Sequence, residues 1–210
     1  MANAPASREE LLERARALEG RTLADLADEM RFELSTGLHG KGKIGQLIEH
    51  ALGATAGSAA DFDFPALEVE LKTVPVDESG RPRESTYVCT LQLLEADRAE
   101  WATSWVRRKL SRVLFVPVIE TRVIGRAVLF EPSAEQDAIL KADFDEIVGA
   151  IGAGGIESIT AHVGEAMQLR PKAAHGDIRT ASIGPEDGTI ATVPRGFYLR
   201  ARFVHSILKS

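Results

Sequence analysis

Residues 61–73 read DFDFPALEVELKT, and Leu67, Val69 and Leu71 alternate with Glu68, Glu70 and Lys72. Side chains two apart on a strand share a face, so this spacing predicts a strand over 67–74 with one apolar and one polar side. The apolar side must be covered, which commits the chain to a sheet packed against other elements. The polar side is unusual. It carries two acids and a lysine, and Asp63 stands just ahead of it, behind a Phe64-Pro65 turn that can fold it back towards Glu70 and Lys72. Two carboxylates about 4 Å apart repel by roughly 1–4 kcal/mol at surface-like dielectrics. They converge only with a proton or a cation between them, and Mg2+ suits carboxylate together with phosphate oxygens. Lys72 can then orient or help deprotonate an attacking water, or neutralise charge in the transition state. On spacing alone, a solvated sheet face remains the other reading.

The rest of the chain alternates helical and strand signals. SREELLERARALEG has a capping box in Ser7 and Glu10 and a stop at Gly20. TLADLADEMRF is a second amphipathic helix, STGLHGKGK a glycine-rich loop, and IGQLIEHALG a short helix ending at Gly53. After the strand at 67–74, the DESGRP turn and STYVCTLQL suggest a hairpin or meander. AEWATSWVRRKLSR reads as helix, VLFVPVI as a buried strand and RVIGRAVLF as another. SAEQDAILKADFDEIVGAI is a long helix capped by Ser133, and residues 156–210 read as mixed strand and loop. This order predicts a mixed α/β or α+β fold. GLHGKGKI lacks the Walker A spacing, and GAIGAGGIES follows a helix rather than a strand, so neither is read as a nucleotide loop.

The 210 residues suit one domain, or one domain of two lobes. No run of about 18 apolar residues occurs, so no membrane partner is expected. MANAPASREELL has neither a basic nor an apolar leader segment, and the lone Cys89 cannot form an intrachain disulfide. Both point to the cytoplasm. One Cys and five scattered His give no zinc spacing. The net charge of −6 argues against a nucleic-acid partner until its distribution is considered. Residues 101–126 are basic but for Glu120, and 170–210 are mostly basic, while acids gather at 9–33 and 131–146. A basic face is therefore compatible with the total.

An acid followed by Glu-x-Lys on a strand resembles the PD-(D/E)XK nuclease pattern. The longer stretches GLHGKGKIGQLIEHALG, DFDFPALEVELKTVPVDESGRPRESTYVC, TSWVRRKLSRVLFVPV, ITAHVGEAMQLRPKAA and PRGFYLRARF resemble the MutH family of methyl-directed mismatch-repair endonucleases, in order and over nearly the whole chain. The resemblance implies a restriction-endonuclease-like fold, with a central mixed sheet flanked by helices and two lobes around a DNA cleft. The N-terminal lobe is then expected over roughly residues 1–60, with a larger C-terminal lobe. It implies Mg2+-dependent nicking of the unmethylated strand at hemimethylated GATC, with MutL as activator and MutS acting indirectly. Asp63 and Glu70 then correspond to the metal-binding carboxylates, Lys72 to the catalytic lysine, Glu49 to a helix-borne acid completing the site, and Lys109 to a lysine near the active centre.

For DNA contact the resemblance implicates Lys41, Arg170, Lys172 and Tyr198, the last as sensor of the adenine N6 position; Tyr87 stands where the family has Phe. Lys43 stands where the family has Trp, and the C-terminal tail, FVHSILKS, is short. A monomer is expected, since one nick needs one active centre. The alternatives are a GATC-specific restriction-type nuclease and a DNA-binding module without turnover.

Overall fold

A computed structural model describes residues 3–34, 40–56, 61–172 and 177–210, with Gly40, Lys41 and Asp187 described by their backbone only. In chain order the elements are α1 (Arg8–Ala17), α2 (Leu23–Met30), α3 (Gly40–Leu52), β1 (Glu70–Val76), β2 (Thr86–Thr90), α4 (Trp105–Leu110), β3 (Val113–Ile119), β4 (Val128–Phe130), α5 (Ala134–Gly152), β5 (Met167–Pro171), β6 (Thr180–Ile183), β7 (Thr189–Thr192), β8 (Arg195–Leu199) and α6 (Ala201–Leu208). The class is mixed α/β, as expected. The elements fall into two compact units. One comprises Met1–Glu84, Arg112–Glu131 and His205–Ser210; the other comprises Ser85–Ser111 and Pro132–Val204. No helix among the described residues is long and apolar enough to cross a membrane.

In the first unit β1 and β3 pair in parallel, with Glu70 opposite Val113 and Val76 opposite Ile119, and β4 adds antiparallel to β3. The sheet is therefore mixed, in the order β1-β3-β4. Leu71 of β1 and Leu114, Val116 and Val118 of β3 share a buried cluster with Leu11, Leu26, Leu47 and Leu52 of the three helices. Burying such a side chain contributes about 1.5–3 kcal/mol each, which is why VLFVPVI holds no polar residue. Ser7 accepts from Glu10 N, as its spacing predicts for α1. Gly53 ends α3 at φ 80°, and Ala54 N reaches back to Glu49 O at 2.9 Å, the closure of a left-handed helix stop. A β-carbon at Gly53 would lie 2.2 Å from Asn3 O, so only glycine fits there.

Several local expectations change, among them the strand read over RVIGRAVLF, which forms only at Val128–Phe130, and the helix read over AEWATSWVRRKLSR, which is confined to Trp105–Leu110 after a 3-10 turn at Trp101–Thr103. Strand β1 starts at Glu70 rather than 67, because Pro65–Leu67 form a 3-10 turn and Glu68 takes a left-handed conformation with φ 54°. Gly40–Lys43 belong to α3 rather than to a loop. Residues 35–39 of the expected loop lie outside the described residues. The DESGRP turn does fold back, with Arg83 N on Pro75 O at 2.9 Å, yet β2 pairs with β8 and not with β1. Residues after 200, read as strand and loop, instead form α6.

The second unit holds an antiparallel sheet, β2-β8-β5, and a β6-β7 hairpin. Helix α5 begins with a full capping box on Ser133 and Gln136. Its Phe144 stacks on Phe197 of β8 at 5.7 Å and meets Trp101 at 5.5 Å. Asp143, only 5% exposed, accepts hydrogen bonds from Glu165 N, Ala166 N and Met167 N at 2.6–2.7 Å. Arg200 donates to the carbonyls of Ala161, Val163 and Gly164 in the same loop. An acid and a base thus satisfy the two kinds of backbone group left open ahead of β5. Asp143→Ala removes three charge-assisted bonds and leaves their donors unpaired. It should cost at least about 2 kcal/mol and lower the thermal midpoint by roughly 4–8 °C, measured calorimetrically.

Candidate functional site

The acidic turn of the first unit is built from its backbone outwards. Phe64 and Val69 exchange backbone hydrogen bonds at 3.0 and 3.3 Å, reversing the chain between Asp63 and Glu70. The reversal lets Asp63 Oδ2 accept from Leu71 N at 2.7 Å. From the other direction, Thr55 N donates to Asp63 O at 3.1 Å, which ties the segment after α3 to the same residue. The strand places Lys72 Nζ 2.6 Å from Glu70 Oε1. Glu70 is 3% exposed, so the polar side of β1 is not a solvated face at this point. Helix α3 supplies Glu49, whose carboxylate approaches the position a β-carbon on Gly45 would take, at 3.8 Å, with Thr73 Oγ1 at the same distance from it.

Charge binds this group together. Burial pushes the Glu49 carboxyl above its usual range, the negative charge of Asp63 pushes it further, Lys72 opposes, and Glu70 adds to the rise. Glu49 therefore senses Asp63, Glu70 and Lys72, in a group of three acids and one base. Among the described residues no three His, Cys, Asp or Glu side chains stand in a ready-made metal cage. The donor set still fits a hard divalent cation, because it is all carboxylate oxygen and carries surplus negative charge that such an ion relieves.

The second unit gathers most of the residues implicated in DNA contact. Tyr87 of β2 lies opposite Tyr198 of β8, and their rings meet edge to face at 5.3 Å. Lys172 Nζ sits 4.4 Å above the Tyr87 ring, and the Arg170 guanidinium 5.9 Å from the Tyr198 ring centre. Arg170 also donates to Ser85 Oγ at 2.8 Å, and Tyr87 Oη shares a hydrogen bond with Thr90 Oγ1 at 2.9 Å. Gly196 makes room for this stack: a β-carbon there would lie 2.9 Å from Tyr87 Cε2 and 2.8 Å from Cys89 O. Four residues from three separate stretches of the chain thus form one patch of two rings and two cations. Ser85, Thr90 and Gly196 were not anticipated, since their part depends on strand register.

Lys109, on α4 of this unit, is 3% exposed, with its ammonium 5.1 Å over the Trp105 ring. Lys41 lies in the first turn of α3, and its side chain is outside the described residues. Lys43 rests 5.5 Å over Phe32.

A carboxyl held above its usual pKa weakens the fold once it ionises: stability present at lower pH is lost as pH rises through that titration. Glu49→Gln should therefore raise the thermal midpoint of the metal-free protein at pH 8, by about 2–4 °C for each kcal/mol of repulsion removed. The gain should shrink as the pH is lowered and Glu49 protonates. A midpoint at pH 8 equal to or below that of the unsubstituted protein would contradict the charge crowding.

The family described as "DNA mismatch repair enzyme MutH" matches residues 52–143, a span containing Asp63, Glu70, Lys72, Tyr87 and Lys109. The chain is 43% identical to the DNA mismatch repair protein MutH of Vibrio cholerae, over 100% of this chain and 98% of that protein. It is 45% identical to the MutH of Shewanella amazonensis, over 98% of this chain and 95% of the relative. With the MutH of Serratia proteamaculans it shares 42% identity, over 97% and 93% respectively. Identity at this level along the full length of both partners places the chain in the MutH family of DNA mismatch repair enzymes.

Proposed function

We propose that this chain is a Mg2+-dependent endonuclease that nicks the unmethylated strand of hemimethylated GATC sites in cytoplasmic DNA mismatch repair. The observation that carries the reading is the electrostatic influence of Asp63, Glu70 and Lys72 on Glu49, together with the Lys72 ammonium 2.6 Å from the Glu70 carboxylate. Asp63 and Glu70 would hold the metal ion, and Glu49 would complete its acidic surroundings. A bound divalent cation lowers the pKa of its water and polarises a phosphodiester oxygen. Glu70 keeps the Lys72 ammonium aimed into this group, where it orients the attacking water or offsets charge building on the phosphate. Lys109 adds a desolvated positive charge for phosphate contact.

DNA recognition is assigned to Lys41, Tyr87, Arg170, Lys172 and Tyr198. Arg170 has the planar fork that pairs with a guanine edge. Tyr198 brings an aromatic hydroxyl to the adenine N6 position, where a methyl group removes a donor hydrogen and adds bulk. The whole chain would work as one endonuclease domain of two lobes, as a monomer, switched on by MutL once MutS has found a mismatch.

The test is a plasmid assay with Mg2+ and a MutL partner, on hemimethylated and fully methylated GATC. Nicks confined to the hemimethylated substrate are expected, and equal inactivity on both would sink the reading. Double-strand breaks made without MutL would instead mark a restriction-type nuclease. Lys72→Ala should lower cleavage by about 10²–10³, with DNA affinity retained and still falling steeply with salt. A binding module would show no cleavage to lose.

A further inference from the structure

The turn that presents Asp63 and Glu70 is not closed by the sheet alone. Its 3-10 segment, Pro65–Leu67, lies outside the β1-β3 ladder, so the Leu67 carbonyl has no strand partner there. Arg112 supplies it: Nη1 donates to Leu67 O at 3.1 Å. The same guanidinium pairs through Nε with Glu131, which also takes Arg8 Nη1 at 3.3 Å. The backbone carbonyl of Arg112 accepts from Glu70 N at 3.0 Å. One residue therefore grips the turn at both places, by its side chain at Leu67 and by its main chain at Glu70. The Arg112 side chain is 18% exposed and its Glu131 partner half exposed, so the arginine end of the pair is the shielded one.

We propose that Arg112 is a positioning residue for the acidic turn, fixing the separation of the Asp63 and Glu70 carboxylates and so setting how tightly the pair takes a divalent cation. The inference rests on the reading of Asp63 and Glu70 as metal-binding residues. Arg112 touches neither carboxylate; it acts through the backbone that carries them. Lysine cannot replace it, because a single ammonium lacks the planar fork that reaches a carbonyl and a carboxylate together. Glu131 orients the fork, in the way that outer partners orient metal-binding side chains.

The experiment titrates Mn2+ alone, followed by electron paramagnetic resonance without DNA. The samples are the unsubstituted protein, Arg112→Lys, Glu131→Gln and Asp63→Asn, each at a temperature where circular dichroism shows it folded. Arg112→Lys should raise the Kd for Mn2+ by about tenfold or more, and Glu131→Gln should shift it less, in the same direction. The Mg2+ concentration giving half-maximal nicking should rise in parallel, while the rate at saturating Mg2+ recovers; a purely structural loss would lower that plateau. A folded Arg112→Lys protein with the unsubstituted Kd overturns the inference. Should that variant not fold, an unchanged Kd in Glu131→Gln overturns it. Asp63→Asn separates the two levels: if it leaves Mn2+ binding unchanged, the metal reading itself falls and this inference falls with it.

Discussion

The first unit's site depends on one chain reversal. Asp63 and Glu70 are seven residues apart, yet the backbone exchange between Phe64 and Val69 returns the chain so that the Asp63 carboxylate meets the amide of Leu71. The grouping of charges in this unit follows from that closure. It sets Asp63 beside the start of β1, where the strand already orders Glu70 and Lys72 onto one side. It also leaves the Asp63 carbonyl open to Thr55, so the end of α3, and with it Glu49, is tied to the same place.

Keeping these charges together works against the fold. Glu70 is buried with a lysine, and Glu49 is driven towards its neutral form by burial and by its acidic neighbours. Buried ion pairs seldom return the full cost of their desolvation. Stability in the first unit comes instead from the leucine-rich cluster beneath, where three helices cover β1 and β3. That division of labour, an apolar body supporting a strained polar edge, is expected where chemistry rather than stability selects the residues.

Much of this was legible in the sequence, for local reasons. Ser7, Ser133 and Gly53 mark helix ends by backbone chemistry that needs no tertiary information, whereas α1 stops at Ala17, short of Gly20, and the apolar run at 113–119 is a covered strand as read. The alternation at 67–72 gave the right strand with the wrong start. Period-two spacing cannot register that Glu68 turns left-handed after a 3-10 turn. The DESGRP turn suggested a hairpin, but whether the next strand pairs locally is a tertiary decision, and β2 joins β8 instead. Asp143 and Arg112 read as ordinary helix and surface charges. Their partners are backbone groups 22–24 and 45 positions away, which no local pattern reveals.

The patch of Tyr87, Tyr198, Arg170 and Lys172 has a further consequence. Its two cations rest against aromatic faces and, among the described residues, neither is locked to a carboxylate. A cation paired with an acid must break that pair before it can turn to a new acceptor. A cation lying on a ring gives up about 0.5–2 kcal/mol when it leaves. Lys172 is thus held in a defined place yet released cheaply, Arg170 gives up its Ser85 hydrogen bond besides, and the rings they vacate are left bare to stack against whatever draws the charges away.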